Sequence, residues 1–223
     1  TKGVLVFQSK RSELTEMRGY SIAQFPLPVV VLNRKDAPAG RAFTLLHELT
    51  HLMLRSSGVC DLDERPDRSP GDQRTEVYCN HVAGAALLPR RSLLAHPAVQ
   101  AHGGEPAWRQ DELELLARHY SVSREVVLRR LLIAGRTSKP FYEKTRNQLQ
   151  RDYEKRQKNE GFVTPSADAV STAGKPFVRL VLGAYNDDRL TTSDVSDYLG
   201  VKLKHLDKIR NDHHQRWRPE MRL

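Results

Sequence analysis

The segment His47-Glu48-Leu49-Thr50-His51 constrains this chain more than any other stretch. It is an HExxH motif inside an apolar run, Phe43 to Leu54, that holds no Gly or Pro. Leu45, Leu46, Leu49, Leu52 and Met53 recur at helical spacing, so the run reads as a largely buried helix. Residues four apart on a helix share a face, which lets both imidazoles reach one metal ion. Glu48 follows the first histidine and is placed to reach a water beside that metal. Two histidines and a glutamate are costly to bury without partners, and a cation satisfies them. The chemistry this equipment fits is zinc hydrolysis, with Glu48 as general base.

A catalytic zinc site takes three protein ligands and leaves a position for water. The acidic residues Asp61, Asp63, Glu64, Asp67 and Asp72 lie in Cys60 to Arg74, a stretch rich in Pro, Gly and charge that reads as a loop. Glu76 opens a different pattern, Glu76-Val77-Tyr78-Cys79-Asn80-His81-Val82-Ala83-Gly84-Ala85-Ala86-Leu87-Leu88-Pro89. It reads as a helix of small residues that packs closely on the metal helix and ends at Pro89. Glu76 is the expected third ligand, with His81 and Asn80 as competitors. Asn80 is also placed to orient a ligand rather than to be one. Tyr78, His81, His119 and Tyr120 are unranked candidates for stabilising the oxyanion.

The pairing of FTLLHELTHLML with EVYCNHVAGAALLP resembles the ImmA/IrrE family of metallo-endopeptidases. In that family an HExxH helix precedes a helix of the form E-x-x-A-N-x-F-A-A-x-L-L-M-P, whose first Glu is the third zinc ligand. Here Cys79 stands for the Ala and Val82 for the Phe, and no Met precedes Pro89. The resemblance extends upstream through Gly19-Tyr20-Ser21 and Pro28 to Asn33, and more weakly to about residue 140. It implies a zinc endopeptidase that cuts a helix-turn-helix repressor in a mobile-element or stress-response switch. Two alternatives stay open: a zincin-shaped regulator that binds DNA or a repressor without cutting, and a protease toxin of a toxin-antitoxin or defence pair. Many members carry a helix-turn-helix domain ahead of the peptidase. The chain starts at Thr1 without Met, and a missing N-terminal part is the expectation.

The expected fold class is α+β: a minimal zincin-like peptidase domain of small sheet and active-site helices, then a mainly helical C-terminal part. The core covers 1–100, a helix-turn-helix-like region 101–160, and a small helical module with a basic tail 161–223. Residues 3–7 and 28–32 read as strands, the second a sheet edge able to hold an extended peptide. Ser9 to Arg18 reads as helix or loop. Asp111 to Leu131 reads as helix, turn, helix, with Ser123 as N-cap. Leu116 to Ser123 resembles the family form L-A-x-x-F-x-V-S. Arg124, Arg129 and Arg130 would carry contacts to DNA or to the repressor, although packing against the catalytic core is the favoured reading of this pair. Tyr142 to Glu160 reads as a solvated helix of alternating charge, and Phe162 to Lys175 as a linker. Pro176 to Ala184 reads as a helix, followed by short helices around Val195 and after Gly200. Trp217 among Arg216, Arg218 and Arg222 could stack on a base.

The formal charge of +9 admits nucleic acid as a partner. No apolar run reaches membrane-spanning length and no secretory signal is visible. Cys60 and Cys79 are too few for a disulfide framework, and the chain reads as cytoplasmic.

Overall fold

The computed structural model describes residues 3–55, 58–60, 70–154 and 164–215. Four short strands form one sheet: β1 Leu5–Ser9, β2 Gly19–Ile22, β3 Val29–Asn33 and β4 Gly58–Cys60, in the order β1-β3-β2-β4. β3 runs parallel to β1, and β2 is antiparallel to both β3 and β4. β3 is therefore an interior strand, not the edge expected for 28–32. Its run of valines and leucine is buried, which suits a strand covered on both sides. The edges are β1 and β4, and Cys60 ends a strand rather than opening a loop. Asn33 closes β3. Its side-chain amide donates to the carbonyls of Ser12 and Met17 at 3.0 and 2.8 Å, tying down the irregular segment between β1 and β2.

Two helices lie against this sheet. α1, Pro38–Met53, starts with Pro at its first turn, where the missing N–H costs nothing. α2, Pro70–Leu87, begins six residues before Glu76 and absorbs the end of the expected loop, with Asp72 in its first turn. Asp61, Asp63, Glu64 and Asp67 lie outside the described residues. The two helices form the most extensive helix pair in the protein. Cys79, Ala83 and Gly84 are buried on α2, where small side chains let the backbones approach. α1 buries a polar face: Thr44, His47, Glu48, Thr50 and His51 are enclosed, while Leu45, Leu46 and Leu49 are half-buried. Met53 is 72% exposed, contrary to its place in the apolar pattern, because the helix ends there in solvent.

α3, Arg90–Ala95, and α4, Pro97–Ala101, follow Pro89. α5, Gln110–Tyr120, and α6, Arg124–Ile133, are joined by a three-residue turn. Ser121 is left-handed there (φ 55°), and the Ser123 hydroxyl accepts from Val126 N–H at 3.2 Å. α7 is Lys139–Glu154. Tyr142, Thr145 and Leu149 form its buried stripe, a Lys139–Glu143 ion pair lies on its exposed surface, and Arg146 pairs across to Glu125 of α6. One apolar cluster joins Leu88, Leu93 and Val99 to α5, α6 and Tyr142.

A separate cluster holds the last helices: α8 Pro165–Ala173, α9 Lys175–Asn186, α10 Thr192–Leu199 and α11 Leu206–Gln215, with a 3-10 turn at Leu203–His205. The expected linker is thus largely helix. Its Ser and Ala residues, which suggest flexibility in isolation, let α8 lie close against β1, with Ala169 and Ala173 buried. Residues 155–160 of the stretch expected as a charged helix, residues 161–163, and the tail residues Arg216, Trp217, Arg218 and Arg222 lie outside the described residues.

The module is fastened to the sheet by an edge-on Phe7–Phe177 ring pair at 5.1 Å and by Asp168, which binds Arg34 and, at 3.1 Å, Lys10. Burial alone would raise the Asp168 carboxyl, but the Lys10 and Arg34 cations outweigh it and hold it below the ordinary carboxylate range. A carboxyl depressed in the folded state stabilises at neutral pH and loses that contribution as acid protonates it. Asp168→Asn should therefore lower the melting temperature at pH 7 by about 1–2 °C, a small effect because the group is partly exposed. Melting curves in acid below the ordinary carboxylate range should show the gap between variant and parent closing.

Candidate active site

Gly19 brings β2 onto α1. A Cβ at that position would meet the Thr44 methyl at 2.5 Å and the Val31 carbonyl at 2.9 Å. Strand alternation then points Gly19 and Ser21 at the helix, both buried, and turns Tyr20 and Ile22 away. Ser21 Oγ donates to Glu48 Oε2 at 2.6 Å. The other carboxylate oxygen, Oε1, is buried and has no hydrogen-bond partner among the described residues. Burial pushes the Glu48 carboxyl up, against the Ser21 hydrogen bond and the two imidazoles that pull it down.

His47 and His51 bring their Nε2 atoms to 3.1 Å from each other. Glu76 reaches across from α2, with Oε2 at 3.2 Å from His47 and Oε1 at 3.3 Å from His51. His47 also meets Asn80, one turn further along α2. All three ligand atoms lie within 4.8 Å of one another. A tetrahedral site with metal–ligand bonds of 2.0–2.1 Å has ligand–ligand edges of about 3.3–3.4 Å. The observed spacings of 3.1, 3.2 and 3.3 Å fit that figure. Two imidazole nitrogens so close cannot both carry a proton outward without repulsion, and a shared cation removes the conflict.

The supporting contacts fix which nitrogen is offered. Asn80 Oδ1 only accepts, so His47 Nδ1, 3.0 Å away, must donate to it. That leaves the Nε2 lone pair facing His51 and Glu76. The buried Cys79 thiol lies beside the His51 imidazole and raises its affinity for a proton. Burial alone would raise Glu76, but the two imidazoles beside it outweigh it and hold the carboxyl well below the carboxylate range. For His51, burial opposes the proton, yet Cys79 and Glu76 prevail and push it up to about 10. Metal uptake at neutral pH must then displace a proton. Calorimetric titration with zinc in buffers of different ionisation heat should give buffer-dependent enthalpies; equal heats would contradict proton release.

The remaining sequence candidates lie elsewhere. Tyr78 and His81 are exposed on the outer side of α2. His119 is exposed and packs edge-on with His96 at 4.7 Å, and the Tyr120 hydroxyl donates to the Ser92 carbonyl at 2.9 Å. Arg124 donates to Gln110 at 3.1 Å and Arg129 to the Tyr142 hydroxyl at 3.2 Å. Arg130 departs from its expected place on a contact surface. It is 5% exposed, and its Nε donates to the Leu88 carbonyl at 2.9 Å, because α6 turns it inward onto the end of α2. Sequence reasoning missed Ser21 as a site residue; the small residues Gly19 and Ser21 at alternate positions were the available signal. It also missed the contact of Cys79 with His51.

A small sheet over an HExxH helix, with a second helix supplying a carboxylate, defines a zincin-like metallopeptidase fold. A family model described as the IrrE N-terminal-like domain, a peptidase family, matches residues 2–132. The chain belongs to that family. No curated protein matches it. No described helix is long and apolar enough to cross a membrane.

Proposed function

We propose that this protein is a zinc-dependent endopeptidase that cleaves a DNA-binding repressor in a mobile-element or stress-response switch. The observation that carries the hydrolytic reading is the tetrahedral spacing of His47, His51 and Glu76 beside a buried carboxylate with one unengaged oxygen. A zinc ion there would polarise the scissile carbonyl and make the attacking water acidic. His47 and His51 supply neutral nitrogens and Glu76 an anionic oxygen. Asn80 keeps His47 in the tautomer that leaves Nε2 free. Glu48 takes the water proton on Oε1 and returns it to the leaving amine. Its raised affinity for protons suits a base that must also act as an acid.

Ser21 holds the base in position through Oε2. Ser21→Ala should lower kcat about tenfold or more, since a buried hydrogen bond to a charged group contributes roughly 1.5–3 kcal/mol. Bound metal and KM should stay unchanged, and Ser21→Thr should restore most of the rate. A fall in metal content instead would assign Ser21 to the architecture of the metal site.

An extended peptide fits beside this machinery. β4 is a sheet edge packed near α1, open to pairing by a substrate strand. Ile22, Phe25 and Leu54 expose apolar surface, and the Arg55 guanidinium stands 5.8 Å over the Phe25 ring, drawing the loop after β2 to the end of α1. The repressor as substrate rests on the family resemblance. The test incubates zinc-loaded protein with helix-turn-helix repressors encoded beside it and maps products by mass spectrometry. A single chelator-sensitive cut supports the reading. Hydrolysis of unrelated peptides with every neighbouring repressor intact removes the repressor, and no hydrolysis of any peptide removes the peptidase.

A further inference from the structure

The protein builds one turn twice. Between α5 and α6, Ser121 is left-handed (φ 55°) and Val122 N–H binds the Ala117 carbonyl at 3.0 Å. Between α10 and the 3-10 turn leading into α11, Gly200 is left-handed (φ 62°) and Val201 N–H binds the Ser196 carbonyl at 3.1 Å. Both connections have three residues, and both valines are buried. This is the connection of a helix-turn-helix, a short turn with Gly or its equivalent at the bend. In the second unit the inward positions are Val195, Leu199, Val201, Leu206 and Ile209, all buried against α8 and α9. Thr191 caps α10 through Asp194, so the first helix is fixed at both ends.

The two units differ in what surrounds the second helix. α6 is enclosed by α5, α7 and the end of α2, and its arginines are engaged: Arg130 on Leu88, Arg129 on Tyr142 and Arg124 on Gln110. α6 has no face free to enter a groove. The second helix of the later unit presents Lys204 and Lys208 to solvent, and Lys202 is exposed just before it; none of the three is in an ion pair with a described residue. Lys204 and Lys208 are four apart and share one face. Of the two acids on this helix, Asp207 and Asp212, Asp207 is compensated by Arg210 at 3.8 Å. Leu203 is 56% exposed at the start of the helix, where a groove-inserted element meets base edges and thymine methyl groups.

We propose that α10 and α11 form a DNA-binding helix-turn-helix, with the helix beginning at Leu203 entering the major groove of double-stranded DNA. The lysines contact phosphates on either side of the groove. The proposal is independent of the peptidase reading and moves the DNA contact from α6 to α11.

The test uses the whole chain and a fluorescein-labelled duplex of mixed sequence, read by fluorescence anisotropy across a salt series. The parent protein should bind the duplex with steep salt dependence. Lys202→Glu, Lys204→Glu and Lys208→Glu together should weaken binding by at least about tenfold and reduce the slope of log affinity against log salt by roughly 2–3. A control triple, Arg91→Glu, Lys144→Glu and Arg151→Glu, changes net charge equally on exposed residues elsewhere and should stay within about threefold of the parent. Thermal melting checks the fold, and alanine at the same three lysines replaces the reversal if the module melts. Absence of duplex binding, an equal loss in the control triple, or tighter binding to single strands overturns the proposal.

Discussion

Glu48→Gln is expected to abolish peptide hydrolysis and to leave zinc bound. The substitution keeps the size of the side chain and its hydrogen bond with Ser21, since an amide can still engage the hydroxyl on β2. It removes the group that accepts a proton. Positioned acid–base catalysis contributes roughly 10²–10⁴ in rate, and in the proposed mechanism Glu48 serves both in attack and in expulsion of the amine, so a fall of at least about 10³ in kcat is expected. The metal ligands are untouched, and zinc content by atomic spectroscopy should match the parent. Folding should gain rather than suffer, because a carboxyl that burial pushes up is replaced by a neutral amide. Retained hydrolysis in this variant would remove Glu48 as the base.

Glu76→Ala is expected to lose the metal. Two imidazoles alone leave a zinc ion short of the three protein ligands that catalytic sites use, and the lost ligand is the anionic one. Zinc affinity should fall by at least about 10²-fold, with activity falling in step; loss even of a supporting residue in such sites costs 10–100-fold. The variant also strips His51 of a carboxylate that raises its proton affinity, leaving Cys79 as a remaining source of that shift. Titration with a chromogenic chelator gives the affinity directly. Stoichiometric, tightly held zinc in Glu76→Ala would exclude this carboxylate as a ligand.

The parts of the site legible in the sequence are those fixed by helical period. His47 and His51 share a face by spacing alone, and the small-residue pattern after Glu76 marks a helix able to pack against them. The α+β class and the family follow from the same two segments, and both agree with the structure. What the sequence hides depends on register between distant segments. Ser21 reaches Glu48 only because β2 pairs with β3 so that Ser21 stands opposite Val30 and faces α1. A four-residue strand with a Gly and a Ser carries little signal of its own. β4 is shorter still, and without it and β2 the valine-rich β3 looks like an edge rather than the interior strand it is.

Two misreadings share one cause, that composition was weighed without neighbours. Ser and Ala between residues 165 and 173 suggest a linker until β1 provides a surface that small side chains fit. Arg130 looks like one more surface cation until α6 is placed against α2. There the buried guanidinium meets the carbonyl of Leu88 instead of solvent, and burial, with Arg90 nearby, lowers its proton affinity. The Ser123 cap, by contrast, is a local device, and the structure has it at the residue where the sequence put it.

Crystals of the zinc-loaded protein, measured on both sides of the zinc absorption edge, test the central claim most directly. The account predicts one strong anomalous peak about 2.0–2.2 Å from His47 Nε2, His51 Nε2 and a Glu76 oxygen. A map with no peak between α1 and α2, or with zinc held by other side chains while Glu76 points away, would contradict it.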